Sequence, residues 1–115
     1  MSKDNFYITT PIYYPSGKPH MGHAYSSIIA DIFARFYKLN GKKVHFLTGT
    51  DEHGLKIQRE AEKNKLSPKE WTESNISNMK SQLKKIGLSI DWDREISTCS
   101  VEYYRHQQEF FLELF

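Results

Sequence analysis

The chain has 115 residues, 38% of them hydrophobic, 14% aromatic and 26% charged, with a net charge of +2. That length limits it to one domain or part of one, and that composition supplies a core and excludes long disorder. The charge is too small to imply nucleic acid by itself, no run approaches the ~18 apolar residues of a membrane helix, and a lone cysteine, Cys99, excludes an intrachain disulfide and a cysteine-based zinc knuckle.

The polar start Met1-Ser2-Lys3-Asp4-Asn5 shows no signal-peptide pattern, and a cytoplasmic compartment fits. The β-prone run Phe6 to Thr10 predicts a strand over about residues 6–10. It enters a loop stiffened by Pro11, Pro15 and Pro19, in which Tyr14-Pro15-Ser16-Gly17 suits a type I turn. The loop feeds a helix N-terminus at His20-Met21-Gly22-His23. A helix start presents free N–H groups and partial positive charge to an anion, and Gly22 lets a flat ligand approach the backbone. Two imidazoles there read as a phosphate-facing pair, as a cap with a surface histidine, or as half a metal site.

Helix one is expected from about Gly22 to Asn40. Tyr25, Ile28, Ile29, Ile32, Phe36 and Leu39 recur at helical spacing and predict the core face, with Ser27, Asp31, Arg35 and Lys38 opposite. Gly41 ends the helix, and residues 43–48 read as a second strand. A strand, a helix and a strand in about 40 residues make a right-handed parallel βαβ unit the economical fold. The expected class is therefore α/β with parallel strands. Ligands of such sheets bind beyond the carboxyl ends of the strands. The loop Thr48-Gly49-Thr50-Asp51-Glu52-His53-Gly54 emerges at that edge, and a carboxylate there suits an ammonium group or a ribose hydroxyl. Capping by Asp51 or Thr50 is the plainer alternative.

A helix follows from Gly54 to Asn64, and Ser67-Pro68-Lys69-Glu70 carries a capping box for another that Gly87 stops. From Lys56 to Lys85 there are eight Lys/Arg against four Glu, read as a solvated face, with a contact to a nucleic-acid backbone as the sharper alternative. Leu88, Ile90 and Trp92 alternate with polar residues as a short extended segment or an anchored loop. Ser97 to Ser100 offer caps for a last helix from Val101. Its uncapped apolar run, Phe110 to Phe115, predicts continuation into a larger protein and self-association through exposed apolar surface.

The stretch Thr10 to His23 resembles the signature of class I aminoacyl-tRNA synthetases, in which His-Ile-Gly-His opens the first helix of the nucleotide fold; here Met21 replaces Ile. The fuller wording, with Thr48 to Gly54, is similar to methionyl-tRNA synthetase across residues 6–66. From about residue 71 the wording resembles leucyl-tRNA synthetase, in Asn75-Ile76, Met79-Lys80, Gln82-Leu83-Lys84, Asp91 to Cys99 and Glu102 to Gln107. The leucyl enzymes carry Trp-Asp-x-Phe-Gly where this chain has Thr-Asp-Glu-His-Gly. A natural mosaic, a chimera and a fragment all fit this change of wording.

The resemblance implies that residues 1–115 are the N-terminal half of a synthetase catalytic domain, and so a partial doubly wound, Rossmann-like nucleotide-binding domain. It implies ATP with Mg²⁺ at His20, Gly22 and His23, the two histidines being catalytic. It assigns the amino-acid site to Ile12, Tyr14 and Asp51, with Asp51 on the α-amino group. Methionine is the expected amino acid, leucine the alternative, and tRNA the partner of the full-length parent; no membrane or protein-bound metal is expected. The Lys-Met-Ser-Lys-Ser loop, the connective insertion and the anticodon-binding helices are not among these residues. Three rivals stand beside this reading. One is a zinc hydrolase built from His20, His23, Asp51 and His53. Another is a different His-x-Gly-His nucleotidyltransferase, and the last is a nucleotide-binding fragment without turnover.

Overall fold

A computed structural model describes residues 4–115; the polar residues Met1 to Lys3 lie outside the described residues. Strand β1 (Asn5–Thr9), helix α1 (Met21–Leu39) and strand β2 (Lys43–Thr50) form the expected parallel βαβ unit. Helices α2 (Leu55–Lys63) and α3 (Pro68–Lys85) follow, then a 3-10 turn (Trp92–Arg94), strand β3 (Glu95–Ser97) and helix α4 (Val101–Leu114). The sheet has the order β1-β2-β3 and is parallel throughout, with Asn5 opposite Lys43, Thr9 opposite Leu47, and Thr50 opposite Ser97.

Local chemistry accounts for the helix ends. Ser67 and Glu70 close a reciprocal capping box at α3, where the Ser67 hydroxyl accepts from the Glu70 N–H and the Glu70 carboxylate accepts from the Ser67 N–H. Gly41 and Gly87 follow the C-termini of α1 and α3 with φ of 75° and 85°, a conformation that glycine adopts without a Cβ penalty. Ser100 caps α4 through the Tyr103 N–H. Asp51 and Thr50 do not cap α2: its N-cap is Gly54, without a side-chain bond.

Strand β3 was not legible as a strand in the sequence. It is three residues long, and its pairing with β2 depends on Gly49, where a Cβ would fall 2.1 Å from the Ile96 carbonyl oxygen. Leu88, Ile90 and Trp92 prove to be apolar anchors of the connection that precedes it.

The apolar stripe of α1 is not its packing face, although Arg35 and Lys38 are exposed as expected. Ser27, Ala30, Asp31 and Ala34 are buried, whereas Tyr25, Ile28, Ile29, Ile32, Phe36 and Leu39 are exposed. Small side chains let the helix lie close to the sheet. The buried Asp31 is satisfied there by the Ser89 N–H (3.0 Å), the Ser89 hydroxyl (2.7 Å) and Arg35 Nε (2.7 Å). Arg35 also donates to the Gly87 carbonyl.

The core joins Tyr13, Ala30, Ala34 and Phe46 to Met79 and Leu83 of α3 and to Ile90. The radius of gyration is 16.3 Å, against about 13 Å for a compact domain of ~100 residues. The chain is a slab of 48 × 44 × 19 Å, thin enough to leave apolar faces open.

Candidate active site

The parallel sheet delivers two loops to one edge. The β1 loop continues the sheet past its strand, since Tyr13 bridges Thr50 in parallel. The Tyr13 N–H donates to the Gly49 carbonyl (2.8 Å), and the Asp51 N–H donates to the Tyr13 carbonyl (2.8 Å). Beneath them the Thr10 and Thr48 hydroxyls bond at 2.6 Å. The loop carrying Ile12 and Tyr14 and the loop carrying Asp51 are therefore stitched together at the carboxyl ends of β1 and β2. Ile12 is exposed; Tyr14 and Asp51 are half-buried.

At the start of α1 the histidines form the cap of the plainer reading. His20 is the N-cap, and its Nδ1 accepts from the Gly22 N–H at 3.1 Å. His23 completes a capping box, its Nδ1 accepting from the His20 N–H at 3.2 Å. A neutral imidazole whose Nδ1 accepts must carry its proton on Nε2. Capping thus sets the tautomer of both rings and leaves each with an Nε2–H to donate. The rings stack with centroids 3.9 Å apart and planes at 19°. Burial, and then the neighbouring His20, push the His23 pKa down, which favours the neutral donor form.

Gly22 has a local reason beyond ligand approach. A Cβ on it would lie 3.0 Å from His20 Cε1 and 3.1 Å from Nδ1, crowding the ring that caps the helix. Beside this end a cleft of about 570 Å³ opens between Lys18 to Met21 and Ala24 on one side and Asn78, Gln82, Leu83 and Ile86 on the other.

The second loop separates its ionisable residues. Glu52 turns inward, one carboxylate oxygen accepting from Thr50 and Ser97 hydroxyls at 2.5 Å each, while its N–H donates to Thr98 Oγ1 at 2.8 Å. His53 contacts the Thr98 carbonyl (3.2 Å), the Tyr104 hydroxyl (3.0 Å) and the Cys99 thiol (3.5 Å), all through Nε2. Both residues fasten the loop to β3 and α4. Asp51 is held by its backbone rather than by such side-chain ties. Tyr14 reaches across the same loop: a Cβ on Gly54 would fall 2.5 Å from its hydroxyl oxygen.

The zinc arrangement drawn from His20, His23, Asp51 and His53 is not assembled, since among the described residues no three His, Cys, Asp or Glu side chains gather as a metal site. The donor set at His20 and His23 fits phosphate oxygens rather than a divalent cation, because Nδ1 of each ring is already committed. No helix among the described residues is long and apolar enough to cross a membrane.

Sequence reasoning missed two residues of this site. Tyr13 is buried and meets His23 edge-on, with centroids 5.8 Å apart. Glu52 is the clamp between β2 and β3. The alternation of the β1 loop about Tyr13, with Ile12 and Tyr14 on the other side, was the available signal for the first; nothing local marked the second.

A family model for class I tRNA synthetases of the M type matches residues 6–115. The leucine--tRNA ligase of Rickettsia bellii is 49% identical over 114 residues, covering 99% of this chain and 14% of the relative; that of Rickettsia felis is 48% identical over the same share. The crystal structure of Mycobacterium tuberculosis methionyl-tRNA synthetase bound by methionyl-adenylate superposes with a TM-score of 0.80 at 37% identity. That superposition covers 88% of this chain and 20% of the other. The chain spans 14% of the length of the leucine relatives, and both likenesses run through the positions where its wording changes. A parallel βαβ unit with a capped histidine pair at its helix start, matched by that family over nearly its whole length, makes this chain a member of the class I tRNA synthetases.

Proposed function

We propose that this segment is the N-terminal half of a synthetase catalytic domain that activates an amino acid with ATP, in the cytoplasm, before its transfer to tRNA. The observation that carries the reading is the pair of Nε2–H donors left over when His20 and His23 cap α1 through Nδ1. The substrate carboxylate attacks the α-phosphate and pyrophosphate leaves. His20 and His23 donate hydrogen bonds to the charge that develops on the phosphates, an electrostatic stabilisation without a covalent intermediate. Gly22 keeps the helix start open to the nucleotide. Mg²⁺ enters as the counter-ion of the ATP phosphates.

Asp51 takes the substrate ammonium, a contact that every amino acid offers. Choice among amino acids then falls to Ile12 and Tyr14, an apolar wall and a ring edge. A ring edge favours a thioether by about 0.3–1.5 kcal/mol, which supports methionine. So small a term excludes leucine poorly, since one methylene's worth of fit gives only about 10–200-fold discrimination. Leucine is the second reading, favoured by the 49% identity to leucine--tRNA ligases.

Pyrophosphate exchange with all twenty amino acids, on the parent chain and on Asp51→Ala, tests both. Methionine-preferred exchange that Asp51→Ala weakens supports the proposal. A leucine preference overturns the methionyl reading, and exchange untouched by Asp51→Ala removes Asp51 from the site.

A further inference from the structure

Tyr13 stands between the two residues expected in the amino-acid pocket, yet it is only 2% exposed and cannot line an open cleft. Its bonds run to both halves of the site. On the backbone, its N–H and carbonyl are tied to Gly49 and Asp51 at 2.8 Å each. On the side chain, the hydroxyl meets Ser27 Oγ at 2.6 Å, and Ser27 Oγ meets the His23 carbonyl at 2.6 Å. A carbonyl only accepts, so the Ser27 hydrogen goes to His23 and the Tyr13 hydroxyl must donate to Ser27. The chain of donors therefore runs one way, from Tyr13 through Ser27 to the first turn of α1. The ring adds an edge-on contact to the His23 imidazole, with planes at 78°, and rests against Trp92 at 6.2 Å.

We propose that Tyr13 is a positioning residue of the activation site: its side chain seats His23 while its carbonyl seats Asp51, so that one buried residue sets the spacing between the phosphate-facing and the amino-acid-facing groups. This rests on the proposed activation of an amino acid by ATP. A rigid, buried ring is suited to the task because close packing transmits position rather than absorbing it. Misplacement of a reacting group by about 1 Å costs on the order of 100-fold in rate.

Two variants test it, Tyr13→Leu, which removes ring and hydroxyl, and Tyr13→Phe, which keeps the ring. In the labelled chain, NMR follows the titration midpoint of His23 and the hydrogen exchange of the Asp51 amide, with circular dichroism and melting as the check on folding. Tyr13→Leu is expected to raise the His23 midpoint and to speed Asp51 exchange at least about 10-fold, and Tyr13→Phe, which keeps the ring but cuts the bond to Ser27, to raise the His23 midpoint by less. A folded Tyr13→Leu in which either signal stays at its parent value overturns the proposal. Should Tyr13→Leu not fold, Ser27→Ala cuts the same link from the other side; the His23 midpoint must then move, and an unmoved one overturns it.

In a full-length synthetase carrying this segment, Tyr13→Leu is expected to lower kcat for pyrophosphate exchange about 100-fold with the KM for ATP within about twofold. A loss carried by KM overturns the positioning role. Absence of exchange in the parent would instead defeat the proposed function, and the NMR result would still decide what Tyr13 does.

Discussion

His20 and His23 lie face to face, 3.9 Å between ring centroids, and each holds a backbone N–H on its Nδ1. Capping and the proposed chemistry therefore fall to opposite edges of the same rings, and substitution can separate them. His20→Ala loses the cap and the Nε2–H together; the lost cap costs about 1 kcal/mol of stability. His20→Asn keeps a good N-cap and offers no imidazole donor. Melting should show His20→Asn near the parent and His20→Ala below it. Pyrophosphate exchange should fall by about 10²–10³ in both, as for loss of one transition-state donor. Exchange that survives in His20→Asn would remove this histidine from the chemistry.

Stability should depend on pH through His23. Burial, and then His20, hold its pKa below the ordinary histidine value of 6.5. Between the two values the unfolded chain binds more protons than the folded one. The stability His23 contributes is thus complete above about 6.5 and is lost as the pH falls from there through the folded value. Melting temperatures from pH 8 to pH 5 should drop more for the parent than for His23→Gln, which cannot titrate. Parallel curves would count against it.

Asp31 should be a stability residue with no part in the chemistry. Its buried carboxylate joins α1 to the segment after α3 through Ser89, a contact between residues far apart in sequence. Hydrogen bonds to a charged group are worth about 1.5–3 kcal/mol. Asp31→Ala should cost at least that much in urea unfolding. Arg35→Ala should cost less, since half of its side chain is in solvent. Equal costs would contradict the ranking.

The open apolar faces should promote association of the isolated chain. Helix α4 buries no residue and exposes Phe110, Phe111, Leu112 and Leu114, while α1 exposes Ile29, Ile32, Phe33 and Phe36. Contiguous apolar surface of this kind marks a contact area. Sedimentation velocity should show larger species as concentration rises, reduced by Phe111→Glu and by Ile32→Glu. A monomer at all concentrations would be the contrary result.

Much of the fold was legible because its signals are local. The Ser67–Glu70 capping box, Gly41 and Gly87 after their helices, and the β-prone runs of β1 and β2 act over four or five residues. Chain connectivity then made a parallel βαβ unit the economical arrangement, and His20 and His23 were candidates from their place at its helix start. Periodicity also showed that α1 has two faces, but it could not say which one packs. That was decided by the close approach of Ala30, Ala34 and Ser27 to the sheet and by Ser89 supplying donors to Asp31. Strand β3 exists only because Gly49 leaves room for Ile96, and the roles of Tyr13 and Glu52 depend on partners 14 and 45 residues away. The sequence by itself determined the elements that short-range backbone chemistry specifies. Only the tertiary structure decided the contacts between distant segments, because their free energy comes from packing and from satisfying buried polar groups that no short window contains.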